Sequence, residues 1–228
     1  MKHLLLLHGA IGAKDQLEPL ALKLKNDFIV HTMNFSGHGG EEMSNTFSIK
    51  SFSNDVLNYI KQNNIDKINI FGYSMGGYVA LHLAKHHPEK IEKVFTLATK
   101  FDWTPDIAQK EIKMLNAEKI AEKLPAFAKT LENRHYPNDW KTLLNKTADM
   151  MVELGNKIDL THSDFESIHI PVTISVGDED NMVTLSESKN VCQSIKNAHL
   201  IILSDTMHPI EKVDLGYLST EIKLFFKS

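Results

Sequence analysis

The stretch Phe71–Ala80, FGYSMGGYVA, sets a serine between glycines two residues away on either side, after an apolar run and before a helical one. A strand that turns sharply into a helix at such a serine strains its backbone and lifts its side chain to the carboxyl end of a sheet. Side chains two positions before and after the turn would collide where strand and helix cross, which accounts for Gly72 and Gly76. The pattern predicts strand, tight turn and helix, with the Ser74 hydroxyl exposed as a nucleophile.

Outward from this turn, short apolar runs alternate with amphipathic stretches. HLLLL (3–7) precedes a helical pattern through Leu17, Leu20, Ala21 and Leu24, and FIVHTMNF (28–35) precedes one over 48–63. KINIFG (67–72) leads into MGGYVALHLAKHH, and KVFTLAT (93–99) follows. The rhythm resumes with VTISVG (172–177), a helix near 184–196, HLIILS (199–204) and a last helix near 210–226. Continuous apolar strands separated by helices predict an α/β fold, a doubly wound, mostly parallel six-stranded sheet covered on both faces. Residues 100–168 interrupt the pattern with three predicted helices, about 104–116, 117–131 and 138–154, and no strand. A connection so much longer than the usual ~2–6 residues is an insertion with its own structure. The expected division is therefore a core of residues 1–99 and 169–228 with a helical cap, 100–168, inserted after strand four.

Composition excludes several classes. The chain has 228 residues, a net charge of -4 and a single arginine, Arg134, among 25 basic residues, so nucleic acid is not an expected partner. One cysteine, Cys192, permits no internal disulfide and suits a reducing compartment. Leu4–Leu7 falls short of the roughly 7–15 apolar residues of a signal sequence, and no segment reaches the ~20 of a membrane helix. A cytoplasmic protein is expected, with no membrane partner.

A serine hydroxyl needs a base, and the base needs an orienting acid. After the fifth strand comes GDEDNMV (177–183), and after the sixth comes SDTMHPIE (204–211), so Ser, Asp and His occur in the order that follows such a turn. His208 alone among the twelve histidines lies between the last strand and the last helix. His82, His86 and His87 belong to a helix, and His162 and His169 lack metal-ligand spacing, so no metal is assigned. Oxyanion donors are expected from the backbone N–H of Met75, at the start of its helix, and from the loop HGAIGAKDQ after the first strand. A strand order 2-1-3-4-5-6 would bring that loop beside the nucleophile and point to the Ala10 N–H, with Ile11 as the alternative. In the insertion, Trp103 and Trp140 are candidate pocket residues within a largely apolar helical underside.

These features together resemble the α/β-hydrolase family: HGAIG as oxyanion loop, GYSMGG as nucleophile elbow, GDED as acid loop and MHPIE as histidine loop. FSGHGGEEMS (35–44) is similar to the family's second-strand segment, with Asn34 in place of its usual aspartate. The resemblance implies a version trimmed to six strands, because the chain starts at the strand leading into His8-Gly9. It implies Asp180, three residues after the glycine of GDED, as the catalytic acid, with Asp178 as competitor. Serine at the elbow argues against the dehalogenase branch.

The expected activity is cleavage of a small carboxylic ester or thioester through an acyl-enzyme: Ser74 attacks, His208 is general base, Asp180 orients it, and Ala10 and Met75 hold the oxyanion. No cofactor is required, and the partner is a small acyl substrate; a homodimer stays open. Two alternatives stand beside it. Capped relatives cleave carbon–carbon bonds or eliminate a carboxylate with the same triad, for which Arg134 would grip an anionic substrate. The fold also serves as a ligand receptor without turnover.

Overall fold

The computed structural model describes residues 1–228. Six strands, β1 (His3–Leu7), β2 (Ile29–Thr32), β3 (Ile68–Tyr73), β4 (Ile91–Leu97), β5 (Val172–Gly177) and β6 (Ala198–Leu203), form one sheet in the order β2-β1-β3-β4-β5-β6. Every neighbouring pair is parallel, so the sheet is wholly parallel where a mostly parallel one was expected.

β1 shows why the apolar runs are continuous. Leu4 to Leu7 are all fully buried. Successive side chains point to opposite faces of a strand, so Leu5 and Leu7 enter one core and Leu4 and Leu6 the other. The first core is covered by α2 (Ile49–Gln62), α3 (Met75–His86) and α9 (Leu185–Ser194), through Phe52, Val56, Val79, Leu83 and Val191. The second is covered by α1 (Glu18–Leu24) and α10 (Leu215–Lys227), through Leu20, Leu24, Leu218, Ile222 and Phe226. Each such side chain contributes about 1.5–3 kcal/mol on burial, which fixes the register of every strand.

Between β4 and β5 lie only helices: α4 (Pro105–Glu111), α5 (Ala117–Lys123), α6 (Pro125–His135), α7 (Trp140–Asn156) and α8 (His162–Glu166). The helix expected over 117–131 is two helices, broken at Leu124. Pro125 opens α6, and a proline disfavours helical geometry in the residue before it. α8, not expected from periodicity, is set by Thr161, whose hydroxyl accepts from the Asp164 N–H while the Asp164 carboxylate accepts from the Thr161 N–H. The last helix starts at Leu215 rather than near 210, where Asp214 caps the N–H groups of Gly216 and Tyr217. No helix is long and apolar enough to cross a membrane.

The register delivers the loops to one place. Leu7 pairs with Gly72, so the loop after β1 emerges beside the turn after β3. Gly177 pairs with Leu203, so the loops after β5 and β6 emerge side by side. Helix α3 and the end of β1 meet at backbone contact distance: a β-carbon on Gly76 would lie 2.5 Å from the Leu7 carbonyl oxygen and 2.7 Å from that of His8. Backbone cannot retreat as a side chain can. Gly76→Ala should therefore destabilise the protein by about 1–3 kcal/mol. Gly216→Ala, in the first turn of α10 with only the Asp214 carboxylate 3.1 Å away, should be neutral or slightly stabilising. Thermal melting of the two variants checks the contrast.

Candidate active site

Ser74 sits between β3 and α3 with φ 51° and ψ -117°. A positive φ in a residue with a β-carbon costs of order 1–3 kcal/mol, so the surroundings must hold it. The Ser74 N–H donates to the Leu97 carbonyl at 2.8 Å, and its own carbonyl accepts from Gly77 N–H at 3.0 Å and from the Thr99 hydroxyl at 3.0 Å. The side chain is thereby left free of the helix and lines a narrow cavity of about 50 Å³.

His208 lines the same cavity. Its Nδ1–H donates to Asp180 Oδ2 at 2.8 Å, in a pair whose side chains are 9% and 0% exposed. With Nδ1–H so engaged, Nε2 is the ring nitrogen left to accept a proton. The other Asp180 oxygen accepts the N–H groups of Met182 and Val183 at 2.8 and 2.9 Å. Burial pushes the Asp180 carboxyl up, but the hydrogen bond and charge of His208 with these two N–H groups hold it below its ordinary range. Tyr73 donates its hydroxyl to the His208 carbonyl at 3.1 Å and so anchors the histidine loop to the nucleophile strand. Asp178 is exposed and turned away: its Oδ1 accepts the Thr206 N–H at 3.3 Å, joining the acid loop to the histidine loop.

The loop after β1 closes over the turn. A β-carbon on Gly9 would lie 3.2 Å from the Ser74 β-carbon, and Ala10 lines the cavity. The Ala10 N–H has no acceptor within the protein. Met75 is the first residue of α3, where helix N–H groups have no intrahelical acceptor. Ile11 has φ 52°, uncommon for a β-branched residue. Its carbonyl accepts the Nε2–H of His135 at 3.0 Å, while His135 Nδ1 accepts the Gly39 N–H at 3.0 Å. Helix α6 thus ties the loop after β1 to the loop after β2. Asn34 serves the same neighbourhood, accepting the Lys14 N–H and donating to the Gly39 carbonyl, roles open to an uncharged amide.

Of the three residues expected to contact substrate, Trp103 lines the cavity and the other two do not. Trp140 packs with Leu115, Ile120, Leu131 and Leu144 in a small core of the inserted segment. Arg134 Nε lies 3.4 Å from Asp15 Oδ2, outside the cavity lining, so its charge is already answered. Sequence reasoning missed Lys100 and Glu111, which line the cavity with Met150, Met151 and Leu154. Lys100 stands just past the carboxyl end of β4, and that position is the signal by which it could have been found.

A family model described as alpha/beta hydrolase fold matches residues 2–117, and the chain belongs to that family. Among curated proteins it is 30% identical over 107 residues to ethanol acetyltransferase 1 of Kluyveromyces lactis, which covers 45% of this chain and 27% of that protein. It is 27% identical over 94 residues to esterase YbfF of Escherichia coli, covering 41% of this chain and 37% of that protein. The matched region is thus well under two thirds of either relative. Solved structures with the same fold include a hydrolase from Pseudomonas aeruginosa, at TM-score 0.81 and 18% identity, covering 100% of this chain and 90% of that one. An enol-lactonase from Burkholderia xenovorans gives TM-score 0.80 at 19% identity, with 100% and 92% covered.

Behind the site, His8, His38 and His135 are buried together, with ring centroids 5.2 and 5.8 Å apart. Burial lowers all three, His8 to about 4. His8 Nε2 and His135 Nδ1 each accept a backbone N–H, from Phe35 and Gly39, and a protonated ring could not. The unfolded chain, with histidine near 6.5, takes up protons first as pH falls, so stability present above pH 6.5 is lost on the way to pH 4. His8 alone should remove about 2 kcal/mol between pH 7.5 and pH 5. Urea denaturation at the two pH values checks this; an unchanged midpoint would mean that these histidines are not held neutral.

Proposed function

We propose that the protein is a serine hydrolase that cleaves a small carboxylic ester or thioester through an acyl-enzyme. The observation that carries this reading is the 2.8 Å contact from His208 Nδ1 to a fully buried Asp180 carboxylate, with His208 and Ser74 in one cavity. Relatives named as an esterase and an acetyltransferase support acyl chemistry.

In the first step Ser74 Oγ attacks the carbonyl carbon while His208 Nε2 takes its proton. The carbonyl electrons move onto the oxygen, which the Ala10 and Met75 N–H groups receive. The intermediate collapses, the alcohol or thiol leaves with the proton from Nε2, and an acyl-serine remains. Water then attacks with His208 again as base, the carboxylic acid leaves, and Ser74 recovers its proton. Asp180 keeps the ring in the tautomer that leaves Nε2 free and stabilises the imidazolium formed in each half-reaction. Residues 100–168 act as a cap over the core of 1–99 and 169–228, since Trp103, Met150, Met151 and Leu154 supply much of the cavity's apolar wall. Arg134, paired with Asp15, offers no support for an anionic substrate.

A panel of p-nitrophenyl esters and acyl thioesters tests the reading. Ser74→Ala should lower turnover by roughly 10⁴–10⁶-fold. Asp180→Asn should lower it by about 10⁴-fold, because the amide stabilises the wrong tautomer, whereas Asp178→Asn, on an exposed turn, should cost less than about tenfold. The reverse ranking of the aspartates would move the acid; a wild-type protein inert toward the whole panel would favour a receptor. Trp103→Ala should shift relative rates across acyl-chain lengths, because the ring lines the cavity, while Trp140→Ala should lower stability with the chain-length profile unchanged.

A further inference from the structure

Ten of the fourteen residues lining the cavity are hydrophobic, and apart from His208 and the Tyr78 phenol its ionisable side chains are Lys100 and Glu111. Neither has a part in the proton transfers above. Their side chains are 15% and 8% exposed, and burying such charges is unfavourable unless their hydrogen bonds are completed. An ammonium carries three N–H donors. Lys100 gives one to the Met182 carbonyl at 2.7 Å, and Glu111 Oε1 lies 3.5 Å away, an ion pair without a hydrogen bond. Trp103, three residues on, has an indole N–H shut off from solvent with no acceptor in the protein. Lys100 thus keeps ammonium donors without a protein acceptor in the short stretch after β4, beside the nucleophile turn.

The charge around Lys100 says which acceptor they want. Glu111 answers the ammonium directly. Glu187 is also buried close by: its Oε1 accepts the Phe101 N–H at 3.2 Å, burial raises its carboxyl, and the Lys100 charge opposes that rise. One ammonium between two buried carboxylates leaves no net positive charge for an anion.

We propose that Lys100, Glu111 and Trp103 form an acyl-group subsite that selects a neutral hydrogen-bond-accepting oxygen, an ether, ketone or hydroxyl, carried on the acyl chain beyond the scissile carbonyl. The inference rests on the acyl-transfer reading above. Met150, Met151 and Leu154 pack the methylene part of the chain, Trp103 adds apolar wall, and the remaining Lys100 N–H donors take its oxygen. A plain alkyl chain of the same length leaves those donors unpaired, and a carboxylate meets Glu111.

The test compares p-nitrophenyl esters of pentanoic acid, of 3-methoxypropanoic acid, in which oxygen replaces one methylene, and of succinic acid as its half-ester. Rates are corrected for each ester's alkaline hydrolysis. The wild type should prefer methoxypropanoate to pentanoate by about tenfold or more in kcat/KM, with the half-ester poorest. Lys100→Met should bring the methoxypropanoate-to-pentanoate ratio to about one. Glu111→Gln should raise the half-ester relative to pentanoate by about tenfold, because the ammonium then faces only Glu187. Should Lys100→Met fail to fold, Lys100→Met/Glu111→Leu removes both charges together. Equal ratios in wild type and Lys100 variant, or a wild-type preference for the half-ester, would overturn the subsite. Binding of methyl 3-methoxypropanoate and methyl pentanoate to Ser74→Ala reads the subsite without the reaction. Tighter binding of the methoxy ester, lost with Lys100, supports it even if no ester is turned over. Equal binding refutes it even if esters are hydrolysed.

Discussion

Strand β3, helix α3 and the end of β1 meet with no side chain between them. The Gly76 backbone lies against the carbonyls of Leu7 and His8, and a β-carbon on Gly72 would collide with the Gly76 carbonyl. This contact lets the chain reverse from strand to helix within one residue, so the strain of that reversal falls on Ser74. It also sets the loop carrying Ala10 above the turn. The burial of Leu4–Leu7 on both sheet faces and of α3 against β3 and β4 supplies the free energy that holds the strained residue in place.

Electrostatics at the site follow from the same exclusion of water. Asp180 is shielded from solvent yet kept ionised, because the Met182 and Val183 N–H groups and the His208 ring complete its hydrogen bonds. His135 is a buried ring with both nitrogens engaged, and its two bonds run from α6 to the loops after β1 and β2. The inserted helices therefore do more than line the cavity: they hold the strained Ile11, next to Ala10.

The fold was legible in the sequence because its signals are local and repeated. Four consecutive leucines can be buried in full only with a covered face on each side of the strand, and the GYSMGG turn fixes where strand gives way to helix. The whole strand order followed. The choice between Asp178 and Asp180 came from the family resemblance, and the structure places Asp180 against His208 and Asp178 on the Thr206 N–H. The insertion was less legible. Nothing in its helical periodicity separates Trp103, which reaches the cavity, from Trp140, which packs within the insertion's own core. Arg134 drew attention as the lone arginine, yet its partner Asp15 is distant in sequence and invisible to local pattern. Lys100 and Glu111 passed unnoticed because a lysine and a glutamate in a charged segment read as solvated surface until the chain folds them inward.

On the proposed function, the strained turn presents one activated hydroxyl. Incubation with a fluorophosphonate, followed by intact mass and peptide mapping, measures this directly. A single adduct at Ser74 is expected, formed rapidly near neutral pH and absent from Ser74→Ala. An adduct on any other residue, or labelling that persists in that variant, would contradict it.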